Sequence, residues 1–155
     1  KMVGYSLGFV GIVVSIVQGG LIRKINPVLG NAKSVYLGFS LFTIGMVLYA
    51  FATETWMMFA IIVPYAFGGI GTPALQGIIS SEVPANAQGE LQGALTSVLS
   101  LSSIIGPLLM NNLFAYFTSS KSVVYFPGAP FIMAAILIGI SLLLAYRSLH
   151  LKAKQ

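Results

Sequence analysis

Long apolar runs alternate with short polar connectors along the whole chain. Five runs stand out, at residues 3–21, 35–52, 56–79, 91–117 and 126–145. A helix needs about 20 mostly apolar residues to cross roughly 30 Å of hydrocarbon, so each run predicts a transmembrane helix. The connectors carry loop punctuation: Arg23-Lys24 through Asn26-Pro27, Thr53-Glu54-Thr55, Pro84-Ala85-Asn86 and Ser119-Ser120-Lys121-Ser122. A membrane β-barrel would instead show alternating segments of about 10 residues. The expected fold is therefore all-α integral membrane, with five transmembrane helices spread over residues 1–155 as one partial domain. The first run is too long for a signal-peptide core and lacks a small-residue cleavage site, so it reads as a true span. With Lys rather than Met at position 1, the chain is expected to be a piece of a longer one.

Polar residues inside a membrane are costly and turn towards a cavity or a partner helix. In the fourth run Gln92, Thr96, Ser100, Ser103, Pro107 and Asn111 share one face about 100° wide. Gly4, Gly8, Gly11, Ser15 and Gln18 share a face of the first run, and Tyr65, Gly69, Thr72, Gln76 and Ser80 share one of the third. The second run offers only Ser40, Thr43 and Tyr49, and the fifth little beyond Gly139 and Ser141. This division predicts a bundle in which spans one, three and four border a hydrophilic cavity and spans two and five face mainly lipid. The candidate cavity residues are Gln18, Tyr65, Gln76, Ser100 and Asn111. Plain packing is the alternative: small residues let helices approach, hydroxyls bond their own backbone, and an amide finds a partner on another helix.

Helix-disturbing residues interrupt two of the polar spans. The third contains Pro64 and then Gly68-Gly69-Ile70-Gly71-Thr72-Pro73, and the fourth contains Gly106-Pro107. Proline removes an intrahelical hydrogen bond and clashes with the preceding turn. Glycine lowers the resistance to bending. Pro64, Gly68, Gly69, Gly71, Pro73, Gly106 and Pro107 are therefore candidate hinge residues, against the alternative of a static kink that shapes the bundle.

Composition narrows the class further. The chain is 57% hydrophobic and 7% charged, whereas a soluble domain carries about 25% charged residues. That excludes a water-soluble globule, and it equally excludes a disordered chain, a nucleic-acid binder and, with no cysteine, a disulfide scaffold. The net charge of +5 reads as topology. With five spans the termini lie on opposite sides. One side collects Arg23, Lys24, Lys33, Arg147, Lys152 and Lys154, and the other only Lys1 and Lys121. The cation-rich side is expected to be cytoplasmic, which places the C-terminus inside a multi-pass cell (inner) membrane protein. The lone His150 reads as a solvated residue of a basic tail.

Catalytic chemistry is missing from the inventory. There is no Cys, no Asp and one His, so triads and most metal sites have no residues to build them, and no cofactor is expected. Gly68-Gly69-x-Gly71 lies within an apolar run and lacks a phosphate-binding lysine, which argues against a nucleotide loop. No ionisable side chain lies inside any span, although a proton relay needs one. Glu90 at the start of the fourth span is a candidate titrating group, but an acid there is equally explained by the helix dipole.

Three motifs give the chain a family likeness. Pro73-Ala74-Leu75-Gln76-Gly77, Gln88-Gly89-Glu90-Leu91-Gln92-Gly93 and Ile105-Gly106-Pro107-Leu108-Leu109, with the opening Met2-Val3-Gly4-Tyr5-Ser6-Leu7 and Gln18, resemble the tetracycline-resistance-type branch of the major facilitator superfamily. The resemblance runs in order along nearly the whole chain. It implies a twelve-helix transporter of which this chain supplies helices eight to twelve, a partial C-terminal six-helix bundle, with helices one to seven elsewhere. It implies a drug:proton antiporter that exports a small organic substrate by alternating access. It also implies that Arg23, Lys24 and Lys33 form a weak copy of the family's cytoplasmic basic loop. The likeness departs at two positions. The His on helix eight and the Asp on helix nine that support proton coupling in tetracycline exporters fall at Val14 and Phe42 here. A neutral, apolar or cationic drug, or an endogenous metabolite, fits as well as a tetracycline–metal complex.

The expected partners are thus a small-molecule substrate, protons, the lipid bilayer and the N-terminal half of the same protein, with no nucleic acid. A non-transporting membrane scaffold or assembly subunit is the competing reading. An intramembrane enzyme has no residue to carry its chemistry.

Overall fold

The computed structural model describes residues 28–119 and 122–152, together with residues 8, 11–12, 15–16 and 19–20 of the first run. Most of the predicted first span, including Gln18, and the cations Arg23 and Lys24 lie outside the described residues. Five α-helices follow: α1 (Asn31–Ala50), α2 (Thr55–Gly68), α3 (Gly71–Ser81), α4 (Gln88–Thr118) and α5 (Ala129–Lys152). A 3-10 turn, Ala85–Ala87, leads into α4. Among the described residues there is no strand.

Four stretches are long and apolar enough to cross a membrane: Asn31–Ala50, Thr55–Ser81, Ala85–Thr118 and Ala129–His150. They answer the second to fifth predicted runs in order. The third is one span made of two helices, α2 and α3, split at Gly69 and Ile70. Both residues keep right-handed helical angles, with φ near −57° and −66°. Their amides, however, bond three residues back rather than four: Gly69 N–H to the Ala66 carbonyl at 3.1 Å and Ile70 N–H to the Phe67 carbonyl at 3.2 Å. Pro73 has no N–H to offer the Gly69 carbonyl four residues behind it, so one α-helical bond is missing at this point as well.

The helices run up and down. Asn31, Ser81, Gln88 and His150 share one end of the bundle, and Ala50, Thr55, Thr118 and Ala129 the other. The core sits along α1. Its buried residues, Ser34, Val35, Gly38, Gly45 and Ala50, meet Ile61, Ile62 and Ala66 of α2, Gly71 and Ala74 of α3, and Ala129 and Ala135 of α5. Ser34, Gly38 and Gly45 lie within about 40° of one another around α1. That face of small side chains admits close backbone approach, which is how helices associate where lipid removes the hydrophobic drive. Rings knit the outside of the same seam. Tyr36 lies 5.5 Å from Tyr146 and Tyr49 stacks on Phe131 at 5.7 Å, joining α1 to α5.

Two expectations are thereby corrected. The second run was read as mainly lipid-facing, yet α1 packs against α2, α3 and α5 and is the hub of the described bundle. Its outer face, with Leu37, Ile44, Val47 and Leu48 exposed, retains the lipid-facing character. The fifth span also runs past its expected end at residue 145. Helix α5 continues to Lys152, carrying Arg147 and His150 on its last turns, and His150 stacks on Tyr146 with centroids 5.5 Å apart.

Helix α4 stands apart. None of its residues is buried, and it touches α5 and the preceding 3-10 turn only lightly.

Candidate polar face and hinge of the bundle

The predicted site residues fall into three places. Gln76 of α3 and the start of α4 come together at the end shared by Ser81 and Gln88. The Gln76 side-chain amide donates to the Gln92 side-chain oxygen at 3.4 Å. One turn lower, the Ser80 hydroxyl donates to the Gln88 side-chain oxygen at 2.7 Å. The Gln88 amide in turn donates to the Ser80 and Val83 carbonyls, both at 2.8 Å. Carbonyls at a helix C-terminus lack an α-helical partner, and Gln88 bonds one of them at the end of α3, that of Ser80, and the Val83 carbonyl in the loop beyond it. A single glutamine therefore closes the connection between the third and fourth spans.

Ser100 and Asn111 lie farther along α4, both exposed, on the face they share with Gln92 and Thr96. Part of the polarity of this helix is satisfied locally. Ser97 bonds the Gly93 carbonyl at 2.9 Å, Ser103 the Ser100 carbonyl at 2.7 Å and Asn112 the Leu108 carbonyl at 2.8 Å. Such back-bonding satisfies a hydroxyl without any cavity. Gly106 and Pro107 sit within α4, which stays one helix of 31 residues through them.

Tyr65 is elsewhere. It lies half-buried between α1 and α2, 5.1 Å from the Phe42 ring and 6.0 Å from the Tyr49 ring. Tyr65 and Phe42, with Phe39, Met46, Thr72, Ile138 and Ser141, line a cavity of about 260 Å³ between α1, the broken span and α5. Phe42, which stands where the resemblance would place an acid, is a packing residue here. Tyr65 and Gln76 are thus not brought into one cluster by the described residues.

The hinge candidates of the third span lie at its break, with Pro64 just before it. Pro64 is inside α2, Gly68 ends it, Gly69 and Ile70 carry the tightened turn, Gly71 opens α3 and Pro73 occupies its first turn. Each of the two glycines facing α1 is held by a contact. A Cβ built on Gly68 would lie 2.7 Å from the Phe42 ring, and one on Gly71 2.9 Å from the Phe39 ring. Of the basic-loop residues, Lys33 is exposed on the first turn of α1.

Sequence reasoning missed two residues of this arrangement. Gln88 was quoted as part of a motif without a role, although a glutamine opening a span after a Pro-Ala-Asn turn signals a cap for the preceding helix. Gly38 was passed over as one small residue in an apolar run. Its Cβ would fall on the Gly71 backbone nitrogen, 2.6 Å from the Gly71 Cα and 2.8 Å from the Gly68 carbonyl oxygen.

The Gln88 clasp makes a prediction. Gln88→Ala removes its bonds to the Ser80 hydroxyl and to the Ser80 and Val83 carbonyls, at about 1 kcal/mol for each bond. Deuterium exchange of the amides between residues 82 and 90 is expected to accelerate about a hundredfold while α1 and α5 exchange as before. Unchanged exchange would show that the connection is closed without Gln88.

Comparison with known proteins agrees with the geometry. Residues 2–155 match the family model of the Major Facilitator Superfamily. Among the most similar curated relatives is the class G tetracycline resistance protein of Vibrio anguillarum, 44% identical over 106 residues, which is 68% of this chain and 27% of that protein. The class C protein of Escherichia coli is 40% identical, covering 74% of this chain and 29% of its own length. The class H protein of Pasteurella multocida is 35% identical, covering 93% of this chain and 35% of its own. The chain thus spans about a third or less of each relative. No solved structure matches it. Four apolar spans, three of them folded around a small-residue seam, and a family match over nearly every residue converge on one assignment: the chain belongs to the Major Facilitator Superfamily.

Proposed function

We propose that this chain forms the helix-eight-to-twelve part of a secondary active transporter and supplies one wall of its central cavity. The observation that carries the reading is α4. It is long enough to span the membrane, has no buried residue, and bears Gln92, Thr96, Ser100 and Asn111 on one exposed face. A polar face at membrane depth is tolerated where it meets water, substrate or a partner helix. The transporter works by alternating access, two halves rocking about a central site. Gln76, Ser100 and Asn111, with Gln18, offer hydrogen bonds to the substrate, and Tyr65 offers a ring. The broken third span and Gly106-Pro107 supply the bends.

The relatives are named for tetracycline resistance, which favours outward transport of a drug-like organic molecule. Proton coupling falls to groups outside these spans, since the apolar runs hold no ionisable side chain. The cation-rich side, with Lys33 and Arg147, faces the cytoplasm, in the cell (inner) membrane.

Two measurements test the reading in the full-length protein. Gln76→Ala is expected to lower efflux at least tenfold at unchanged membrane expression, because it removes a polar contact and releases Gln92. Efflux unchanged for every compound the wild type exports would take Gln76 out of the site. Single cysteines at Ser100 and Asn111 are expected to react with membrane-impermeant thiol reagents from one side, at rates altered by substrate. Complete protection under all conditions would favour a non-transporting scaffold in which the polar face of α4 is packed.

A further inference from the structure

The cation-rich end of the bundle carries a column of rings on its outer side. Tyr36 of α1 lies 5.5 Å from Tyr146 of α5, tilted at 55°. One turn further along α5, His150 stacks on Tyr146 at 5.5 Å, with the ring planes only 6° apart. Lys33 stands three residues before Tyr36. At the helical rise, Lys33 and His150 therefore lie about 4.5 Å and about 6 Å beyond the tyrosine pair, in the same direction. Lys33, Tyr146, Arg147 and His150 are all exposed.

Towards the middle of the bundle the same two surfaces turn apolar. Lys33, Leu37, Ser40 and Ile44 lie within about 60° around α1, and Gly139, Leu143, Tyr146 and His150 within about 60° around α5. Leu37, Ile44 and Leu143 are exposed, and nothing lies within 4 Å of a Cβ built on Gly139. The surface thus passes from cations through amphipathic rings to bare hydrocarbon. A phospholipid has the same profile, from headgroup through glycerol to acyl chain. The start of α1 adds a second attraction for an anion. Gly30 caps it at φ 78°, a conformation that glycine favours, and brings no side chain to bond the first amides. No acid lies in the first turn. The unpaired N–H groups and the positive end of the helix dipole stay available to an anionic group. Six cations fall on this side by the topology of the chain, against two acids, Glu82 and Glu90.

We propose that the outer seam between α1 and α5 binds an anionic phospholipid from the leaflet at this end. Lys33, Arg147 and the start of α1 attract the phosphate, and His150 donates a ring N–H to it. Tyr36 and Tyr146 seat the glycerol region, and an acyl chain runs along Leu37, Leu143 and the open surface at Gly139. Basic clusters between helices at the membrane surface recognise such headgroups. Cations that only set topology need no ring column at their own level. An acidic protein segment would match the charges but not the apolar surface that continues into the membrane.

The inference goes beyond the transport reading and borrows from it only which leaflet supplies the lipid. The test is native mass spectrometry of the full-length protein in mild detergent, with dioleoyl phosphatidylglycerol against dioleoyl phosphatidylcholine, which differ only in the headgroup. Phosphatidylglycerol is expected to be retained at least tenfold better. Each cation near an anionic surface is worth roughly fivefold in binding, so Lys33→Gln with Arg147→Gln is expected to lower that retention at least tenfold. Lys33→Arg with Arg147→Lys is expected to keep it. Lys1→Gln with Lys121→Gln, which removes equal charge from the opposite side, is expected to keep it too. Tyr146→Leu, which removes no charge, is expected to lower it severalfold. Equal retention of the two lipids overturns the site. So does an equal loss in both glutamine pairs, which would mean general charge attraction, or no loss in either, which would leave the cations to topology alone. If the variants do not fold, phosphatidylglycerol with a photoreactive headgroup is crosslinked to the wild type. Labels confined to residues 31–37 and 143–150 support the site, and labels elsewhere overturn it. Efflux is read in none of these arms, so the transport reading stands or falls separately.

Discussion

Gly38→Leu is expected to remove most of the folded protein, whereas Gly139→Leu is expected to leave it intact. Both glycines lie near the middle of apolar helices, and by composition the two substitutions are the same. Their surroundings differ. Nothing lies within 4 Å of a Cβ built on Gly139. At Gly38 the Cβ alone collides with the backbone of Gly71, and backbone has no rotamer by which to give way. Overpacking a filled site costs about 1–3 kcal/mol when side chains can adjust. Here the helices themselves must separate, so the cost is expected at or above the top of that range. The damage also spreads, because α1 is the element against which α2, α3 and α5 all pack. Parting α1 from α3 loosens Phe39 and Phe42 from their glycines and opens the seam. The measurement is the monodisperse fraction and the thermal midpoint in detergent, with Gly139→Leu as control. A drop of at least tenfold in monodisperse protein is expected for Gly38→Leu. Equal behaviour of the two variants would mean that the crossing contributes nothing to stability.

That contrast also marks what the sequence could convey. Span positions were legible because an apolar run of sufficient length has one stable form in lipid: a helix that satisfies its own backbone. Residues 35–52, 91–117 and 126–145 were each placed to within a few residues at one end or both. The break was legible at Gly68 to Pro73 because proline and glycine act on the backbone locally, whatever surrounds them. The hub role of α1 was not legible. A run such as Leu37 to Leu48 has the same composition whether it faces lipid tails or another helix, because both are equally apolar. Only the small face of Ser34, Gly38 and Gly45 hinted at it, and its partner, Gly71, lies in another span. Gln76 was legible as polar and in need of a partner, but not that Gln92 of α4 would supply it. Tyr65 was read as a cavity residue from its helical position, and the aromatic neighbours that claim it, Phe42 and Tyr49, come from a helix whose packing the pattern did not reveal.

Expressed by itself, the 155-residue chain is expected to accumulate poorly in membranes, and a chain carrying the seven helices that the resemblance places ahead of it is expected to restore it. The reason lies in α4. The stretch Ala85–Thr118 has none of its apolar window buried, so the whole helix is available to whatever surrounds it. One side suits lipid, with Val98, Leu101, Ile105, Leu108 and Leu109 all exposed. The other carries Gln92, Thr96, Ser100 and Asn111. A polar side chain left against hydrocarbon forgoes an interhelical hydrogen bond of about 0.6–2 kcal/mol. Several such residues on one face together approach the 5–15 kcal/mol by which whole proteins are stable. Back-bonding spares Ser97 and Ser103 this cost, and Gln92 reaches Gln76, but an amide such as Asn111 has two donors and an acceptor to satisfy. A cavity wall resolves the conflict only when the opposite wall is present and water or substrate lies between them. Fluorescent-protein fusions quantified in gel, with and without the co-expressed partner chain, measure the effect, and a severalfold rise is expected. Substituting Thr96, Ser100 and Asn111 together by leucine should raise the level of the solitary chain in the same direction while blocking transport in the full-length protein. Equal accumulation with and without the partner would mean that lipid alone accommodates the polar face of α4, which would then be no part of a cavity.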